Sequence, residues 1–421
     1  MSQPKADKSG LLQTLGPGII MAGAAIGVSH LVQSTRAGAD YGFYLLWAVV
    51  LALIFKYPFL EYGPRYAAAT GKSLLEGYMH VGKWAMAVFL VFTFGTMFTI
   101  TAAVTVVTAG LTAQMTGITL HPVLWSGIIL GVCVIILISG QYPLLDGLMK
   151  IMMTALAIST IIAVIAAVIH GGNIAPEFSR PVIWNTAGVS FLLALMGWMP
   201  IPIDVAVWHS LWTHERTKQT RHNPSIREVT FDFNVGYIGA GLMAIGFLTL
   251  GALVMYGTGA QFADSGSAFA GQLVELYTSS LGQWSRPVIL AAAFTTMFST
   301  TLTVVDAFPR VLRRAGEVTM PNVITRRDSK SMYVMLMILV AACSLGILWL
   351  LGKSFTAMVD LATILSFLTA PILGYINFRV VTGENMPEGS KPPKGMRILS
   401  WLGLVFLTGF ALLFIYWRLF V

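Results

Sequence analysis

Four titratable side chains that could do chemistry stand inside long apolar runs of this chain, His30, Lys56, Asp204 and His209, with the polar Ser29 and Gln33 beside the first. An imidazole at position 30 could bind a borderline metal, carry a proton or donate to an anion. Gln33 follows one turn after Ser29–His30 and can share their face. Asp204 follows Pro200 and Pro202, where a helix must resume, and the helix dipole favours a carboxylate there. It could also bind a cation or take up a proton. If a metal is bound, His30 and Asp204 are the nitrogen and carboxylate ligands on offer. Lys56 has no partner at helical spacing inside its own run, which marks it as a site or gating residue. Plainer duties compete with each: His30 satisfying freed carbonyls, Asp204 capping a helix, His209 packed in a core.

These residues have to be positioned by apolar helices. Of 421 residues, 56% are hydrophobic and 10% charged, where soluble chains average about 25% charged. Lipid must cover much of the surface. A membrane crossing needs roughly 20 mainly apolar residues. Eleven such runs are expected, at about 16–39, 44–66, 84–112, 122–140, 146–170, 186–212, 233–257, 285–308, 332–352, 356–380 and 398–418. The net charge of +8 sits in short connections and reads as membrane orientation, not nucleic-acid binding. One set of connections holds Lys72, Lys83, Arg216, Lys218, Arg221, Arg227, Arg310, Arg313, Arg314, Arg326, Arg327, Lys330, Arg379, Lys391, Lys394 and Arg397. The other holds Arg180, Arg286 and Lys353 beside Glu177, Asp264 and Glu275. This asymmetry puts the N-terminus in the cytoplasm and the C-terminus outside, with the protein multi-pass in the plasma (inner) membrane.

The division expected is a cytoplasmic tail at 1–15, a ten-helix core at 16–380, and a linker with an eleventh helix at 381–421. The stretch from Gly257 to Arg286 is expected to carry a short surface helix. Cys133 and Cys343 lie in apolar runs, so no disulfide framework is expected. No GxxxxGKS loop is present, which argues against ATP-driven transport.

Two runs are irregular. The first contains Gly16, Gly18, Gly23 and Gly27 before Val28-Ser29-His30. The sixth contains Gly197-Trp198-Met199-Pro200-Ile201-Pro202-Ile203-Asp204. Two prolines two residues apart cannot sit in an unbroken helix. Broken helices at matching positions in two sets of five point to a secondary transporter built from inverted repeats, with a midplane site. The alternative is a pair of kinked structural helices.

The stretch Gly16 to Lys72 resembles the NRAMP family of proton-coupled divalent-metal transporters. It carries Gly16-Pro17-Gly18, Ala37-Gly38-Ala39, Tyr41-Gly42, Leu45-Leu46-Trp47, Arg65 and Ala69-Thr70-Gly71-Lys72 in register. The resemblance implies an all-α membrane protein of LeuT type, with a 5+5 inverted repeat plus one helix. It places the family's Asp-Pro-Gly-Asn motif on Gly27-Val28-Ser29-His30, so the metal-binding aspartate is Gly27 here. In the sixth run Met199-Pro200 matches the family's Met-Pro-His, and His209-Ser210 its later His-Ser, three residues further on than the family has them. Aligning on His209 puts Pro202 at the metal-binding methionine and implies a proton route through His209. The acidic pair of the third run is absent, since 84–112 holds no Asp or Glu. In LeuT-type sodium symporters, hydroxyls of the eighth helix meet carbonyls of the broken first helix around sodium. The run Thr295 to Thr303 is similar, with Ser299 and Thr300 as the candidates; its hydroxyls could instead bond within the membrane helices.

Taken together, the expected protein is an ion-coupled secondary transporter, not an enzyme, with no cofactor beyond a coupling proton or sodium ion. Candidate substrate-binding residues are Gly27, Ser29, His30, Gln33, Met199, Pro202 and Asp204. Candidate coupling residues are His209, Lys56, Ser299 and Thr300. Partners are the bilayer and a small ion or molecule. Three cargo readings stand: a divalent cation through a remodelled site; a small organic or anionic solute, favoured by helix-start amides with Arg36, Lys56 and His30; and a sensor that no longer transports, its basic inner loops binding anionic lipid. Two ion pairs are expected at i,i+4 spacing, Glu61–Arg65 and Asp306–Arg310.

Overall fold

In a computed structural model of the chain, residues 8–170, 181–258, 262–263, 265–321, 328–351 and 355–420 are described. Glu177, Arg180, Asp264, Arg326, Arg327 and Lys353, which contribute to the loop-charge asymmetry, lie outside them. Among the described residues ten helices are long and apolar enough to cross a membrane: Pro17–Tyr41, Leu46–Thr70, Lys83–Thr116, Pro122–Gly140, Tyr142–Ile169, Ile226–Val254, Gln283–Thr319, Lys330–Leu350, Phe355–Thr382 and Lys394–Phe420. An eleventh crossing is made of two shorter helices, Thr186–Gly197 and Val205–Thr220. In chain order this broken crossing is span 6, and the others are spans 1–5 and 7–11. Each of the eleven expected runs falls on these helices among the described residues, the sixth on the broken pair.

Hydropathy places the spans, and end chemistry sets where they start and stop. Span 7 begins at Ile226, seven residues before its apolar run, because Ser225 and Glu228 form a reciprocal capping box. Asn185 caps the first half of span 6, its side chain accepting the Gly188 N–H at 2.7 Å. Spans 4 and 5 follow one another within a single helical stretch, Pro122–His170, with Pro143 inside it. At 1.5 Å per residue, its 49 residues are too long for one crossing. The stretch expected to carry a surface helix holds the helix Gly266–Leu281.

Span 7 packs against both halves of span 1, and span 8 against spans 3, 4 and 5. The span 1–span 7 contact is made backbone to backbone. A Cβ on Gly236 would come within 2.0 Å of the Gly18 carbonyl oxygen, and one on Gly18 within 2.0 Å of that of Asp232. Asp232 closes the same contact by accepting the free N–H groups of Gly16 at 2.8 Å and Gly18 at 2.7 Å, where span 1 starts. The outer faces are apolar, with Ile135, Ile151, Leu242, Ile338 and Val405 exposed, as lipid-facing positions require.

Candidate functional site

Both expected breaks are present. Span 1 is α-helical over Pro17–Ala25, kinked within Ile26–Ser34, and α-helical again over Thr35–Tyr41. Its irregular point is Gly27, with ψ −124°. A Cβ there would lie 2.5 Å from the Thr300 side chain of span 8, so this backbone has no room for the aspartate of the family motif. Span 6 stops at Gly197 and resumes at Val205.

A small cavity of 30 Å³ lies between the breaks and spans 3 and 8. Its polar lining is Ser29, Asp204 and Thr300, and Trp198 and Trp208 contribute indoles. Pro202, Ile201, Val28 and aliphatic side chains of spans 3 and 8 complete it. A space of this size holds a water molecule or a bare ion. Asp204 supplies the one carboxylate of that lining, next to the N–H groups of its own residue and Val205 at the restarting helix. Trp198 is fixed by donating its Nε1–H to Ser366 of span 10 at 2.9 Å.

Seven sequence candidates do not line this cavity: Gly27, His30, Gln33, Met199, Lys56, His209 and Ser299. His30 is fully buried and turned away: its Nε2 lies 2.9 Å from the Ala240 carbonyl of span 7, and its Nδ1 lies 2.8 Å from the Ser29 hydroxyl. That hydroxyl also meets the Ala25 carbonyl. With both nitrogens engaged, the imidazole serves the freed main chain of the break. The pairing of His30 with Asp204 as metal ligands is therefore not the arrangement found. Among the described residues no three His, Cys, Asp or Glu side chains are grouped to hold a metal ion. Met199 is buried but absent from the lining, whereas Pro202 is present, which follows the register set by His209. Gln33 points into a different assembly. Its amide donates to Asp360 of span 10 at 3.0 Å and its carbonyl oxygen accepts from Arg36 at 3.1 Å. Arg36 and Asp360 pair at 2.9 Å, and the guanidinium lies over Phe191 of span 6.

Lys56 is fully buried, and its ammonium donates to the carbonyls of Met196 and Gly197 at 2.7 Å each and of Ile201 at 3.4 Å. It holds the span 6 break from outside the cavity. Of the hydroxyl pair in span 8, Thr300 donates across to the Gly23 carbonyl of span 1 at 2.7 Å. Ser299 turns back on its own helix, donating to Thr296 at 2.6 Å. His209 is buried against Phe233, and neither ring nitrogen makes a hydrogen bond; Nε2 is 3.5 Å from an Asp232 oxygen. The expected pairs Glu61–Arg65 at 2.8 Å and Asp306–Arg310 at 2.6 Å are both present.

Sequence reasoning did not single out Trp198, Trp208 or Asp232 as site residues. The indoles flank the prolines that mark the break, and that proximity was the available signal. Asp232 precedes an apolar run and gives no sign that it reaches span 1.

The sequence profile of the Natural resistance-associated macrophage protein-like (Nramp) family matches residues 18–417. An uncharacterized protein of Pasteurella multocida (strain Pm70) is 37% identical over 407 residues, covering 95% of this chain and 91% of that one. Among solved structures, a mutant of the Eremococcus coleocola manganese transporter superposes with a TM-score of 0.72 at 13% identity, covering 98% of this chain and 88% of that one. A nucleobase-cation-symport-1 family transporter, closed with bromovinylhydantoin bound, superposes with a TM-score of 0.58 at 15% identity, covering 96% and 92%. The solved structures establish a fold of the LeuT type.

Proposed function

We propose that this chain, which belongs to the Natural resistance-associated macrophage protein-like family of integral membrane transporters, carries a small cation through the cavity between its two broken helices. The observation that carries this reading is the single carboxylate of that cavity, Asp204, set at the start of a resuming half-helix. Family membership and a fold shared with a manganese transporter support a metal ion as cargo. The donors around the cavity are oxygens: the Asp204 carboxylate, the Ser29 and Thr300 hydroxyls and main-chain carbonyls. Imidazole and thioether are turned elsewhere, so this set suits a hard divalent ion such as magnesium or manganese better than a softer one. Access alternates as the half-helices and their bundle rock against the remaining spans.

A gradient of protons or sodium drives the cycle in this reading. His209, buried with both nitrogens unpaired and near Asp232, is the candidate proton carrier. Thr300, which already ties span 8 to the span 1 carbonyl of Gly23, is the candidate sodium ligand. The basic connections support, within this reading, an N-terminus in the cytoplasm and a C-terminus outside, in the plasma (inner) membrane.

One observation favours a second reading. The cavity wall is mostly apolar and flanked by two indoles, which suits a small organic cation held over an aromatic face in a state of the cycle wider than this 30 Å³ one. Proteoliposomes carrying an inward proton or sodium gradient separate the two. Uptake of manganese or magnesium, competed by other divalent ions, supports the metal reading. Uptake of organic cations with no metal movement supports the second. Absence of any gradient-dependent uptake overturns both.

A further inference from the structure

The ammonium of Lys56 occupies a cage of main-chain carbonyls that spans the break of span 6. Met196 and Gly197 are the last residues of the first half-helix, where carbonyls lie past the regular i→i+4 ladder and carry the negative end of the helix dipole; that of Met196 also accepts the Met199 N–H at 3.4 Å. Ile201 lies beyond Pro200, on the far side of the break. All three hydrogen-bond acceptors of the ammonium are therefore backbone oxygens, drawn from both sides of one interruption. No carboxylate is among them. Asp204, three residues past Ile201, acts on the ammonium only as a nearby opposite charge. Lys56 is held on span 2, so the charge reaches the break from a neighbouring helix and cannot leave it.

Unwound carbonyls and half-helix C-termini are where transporters of this architecture place a dissociable cation. An ammonium on a flexible four-carbon stem can do the same electrostatic work as a bound alkali ion, with three donors in place of a coordination shell. We propose that Lys56 is a tethered cation that replaces a dissociable ion at the break of span 6. The carbonyl cage is then permanently filled. It supplies no coupling ion, and coupling has to be served elsewhere in the protein. The ammonium is also a nearby opposite charge to Asp204. This assignment goes beyond the proposed cargo path and holds whichever cargo is carried.

The test reads folding, not transport, so its failure is distinct from failure of the cargo reading. The full-length protein in nanodiscs is melted in choline chloride, sodium chloride or propylammonium chloride at equal ionic strength. Lys56→Ala removes the atoms that propylammonium replaces. The expected result is a midpoint several degrees below wild type in choline, raised towards wild type by propylammonium and partly by sodium, while wild type responds to neither. Lys56→Met fills the space without the charge; its midpoint should be lowered and stay low in every salt. Wild-type stability of either variant in choline overturns the proposal. So does a lowered Lys56→Ala midpoint that propylammonium raises no more than choline. Should Lys56→Ala be recoverable only unfolded in choline, solubilisation in propylammonium should yield folded protein; no recovery there also overturns it.

Discussion

The two broken helices of this protein solve the same problem in different ways. In span 1 the interruption is a kink at Gly27, held by hydroxyls and an imidazole: the Ser29 hydroxyl, the His30 ring and, from span 8, the Thr300 hydroxyl on the Gly23 carbonyl. In span 6 the gap between Gly197 and Val205 is held by opposite charges, Lys56 on the freed carbonyls and Asp204 at the restart. A hydroxyl can trade its partner for an ion at small cost, because it can turn from donor to acceptor. A tethered ammonium cannot leave, and removing it takes a charged donor from three carbonyls at once. In the proposed cycle span 1 is the side at which an ion exchanges, and span 6 the side at which charge is fixed.

The largest effect that follows is at Asp204. Asp204→Asn keeps size and position but removes the charge from the cavity, and gradient-driven uptake should fall by at least about 100-fold, equivalent to roughly 2.7 kcal/mol. Unchanged melting of the purified variant would show that the loss is not a folding defect. Next comes Gly27→Asp, which restores the residue of the family motif. With a Cβ 2.5 Å from Thr300, it should cost about 1–3 kcal/mol in stability by overpacking, and the cost should shrink in the double variant with Thr300→Ala. Strict additivity of the two changes in melting experiments would contradict that contact.

Thr300→Ala alone sharpens the comparison between the breaks. If span 1 exchanges sodium, the variant should need several-fold more external sodium for half-maximal uptake, and a wild type indifferent to sodium would remove this route. The smallest effect concerns the Arg36–Asp360 pair that ties span 1 to span 10. Its side chains are 14% and 32% exposed, so Asp360→Asn should change stability by no more than about 1 kcal/mol. Its clearer sign should be faster labelling of a cysteine placed next to Gln33, since the tie between the two spans is weakened.

Much of the scaffold could be read from the chain, because a bilayer demands long apolar runs and Pro200 with Pro202 cannot be helical. The pairs Glu61–Arg65 and Asp306–Arg310 were legible for a similar reason, since i,i+4 spacing alone brings them together. What stayed hidden depends on contacts across helices. Arg36 and Asp360 are 324 residues apart, and nothing local couples them. The partners of Lys56 are main-chain carbonyls, which have no sequence signature. His30 looks like a ligand in the sequence because it sits at a break, yet that same break supplies the main-chain groups that engage it. The cavity lining follows from which side of a distorted turn faces inward, and the kink at Gly27 shifts that face.

The most direct measurement is cation uptake by wild type and Asp204→Asn in sealed proteoliposomes, with manganese, magnesium and an organic-cation panel under a proton or sodium gradient. A carrier cycle through this cavity predicts saturable uptake of one class by wild type and none by the variant. Equal uptake by the two proteins would contradict it and place the cargo path away from Asp204.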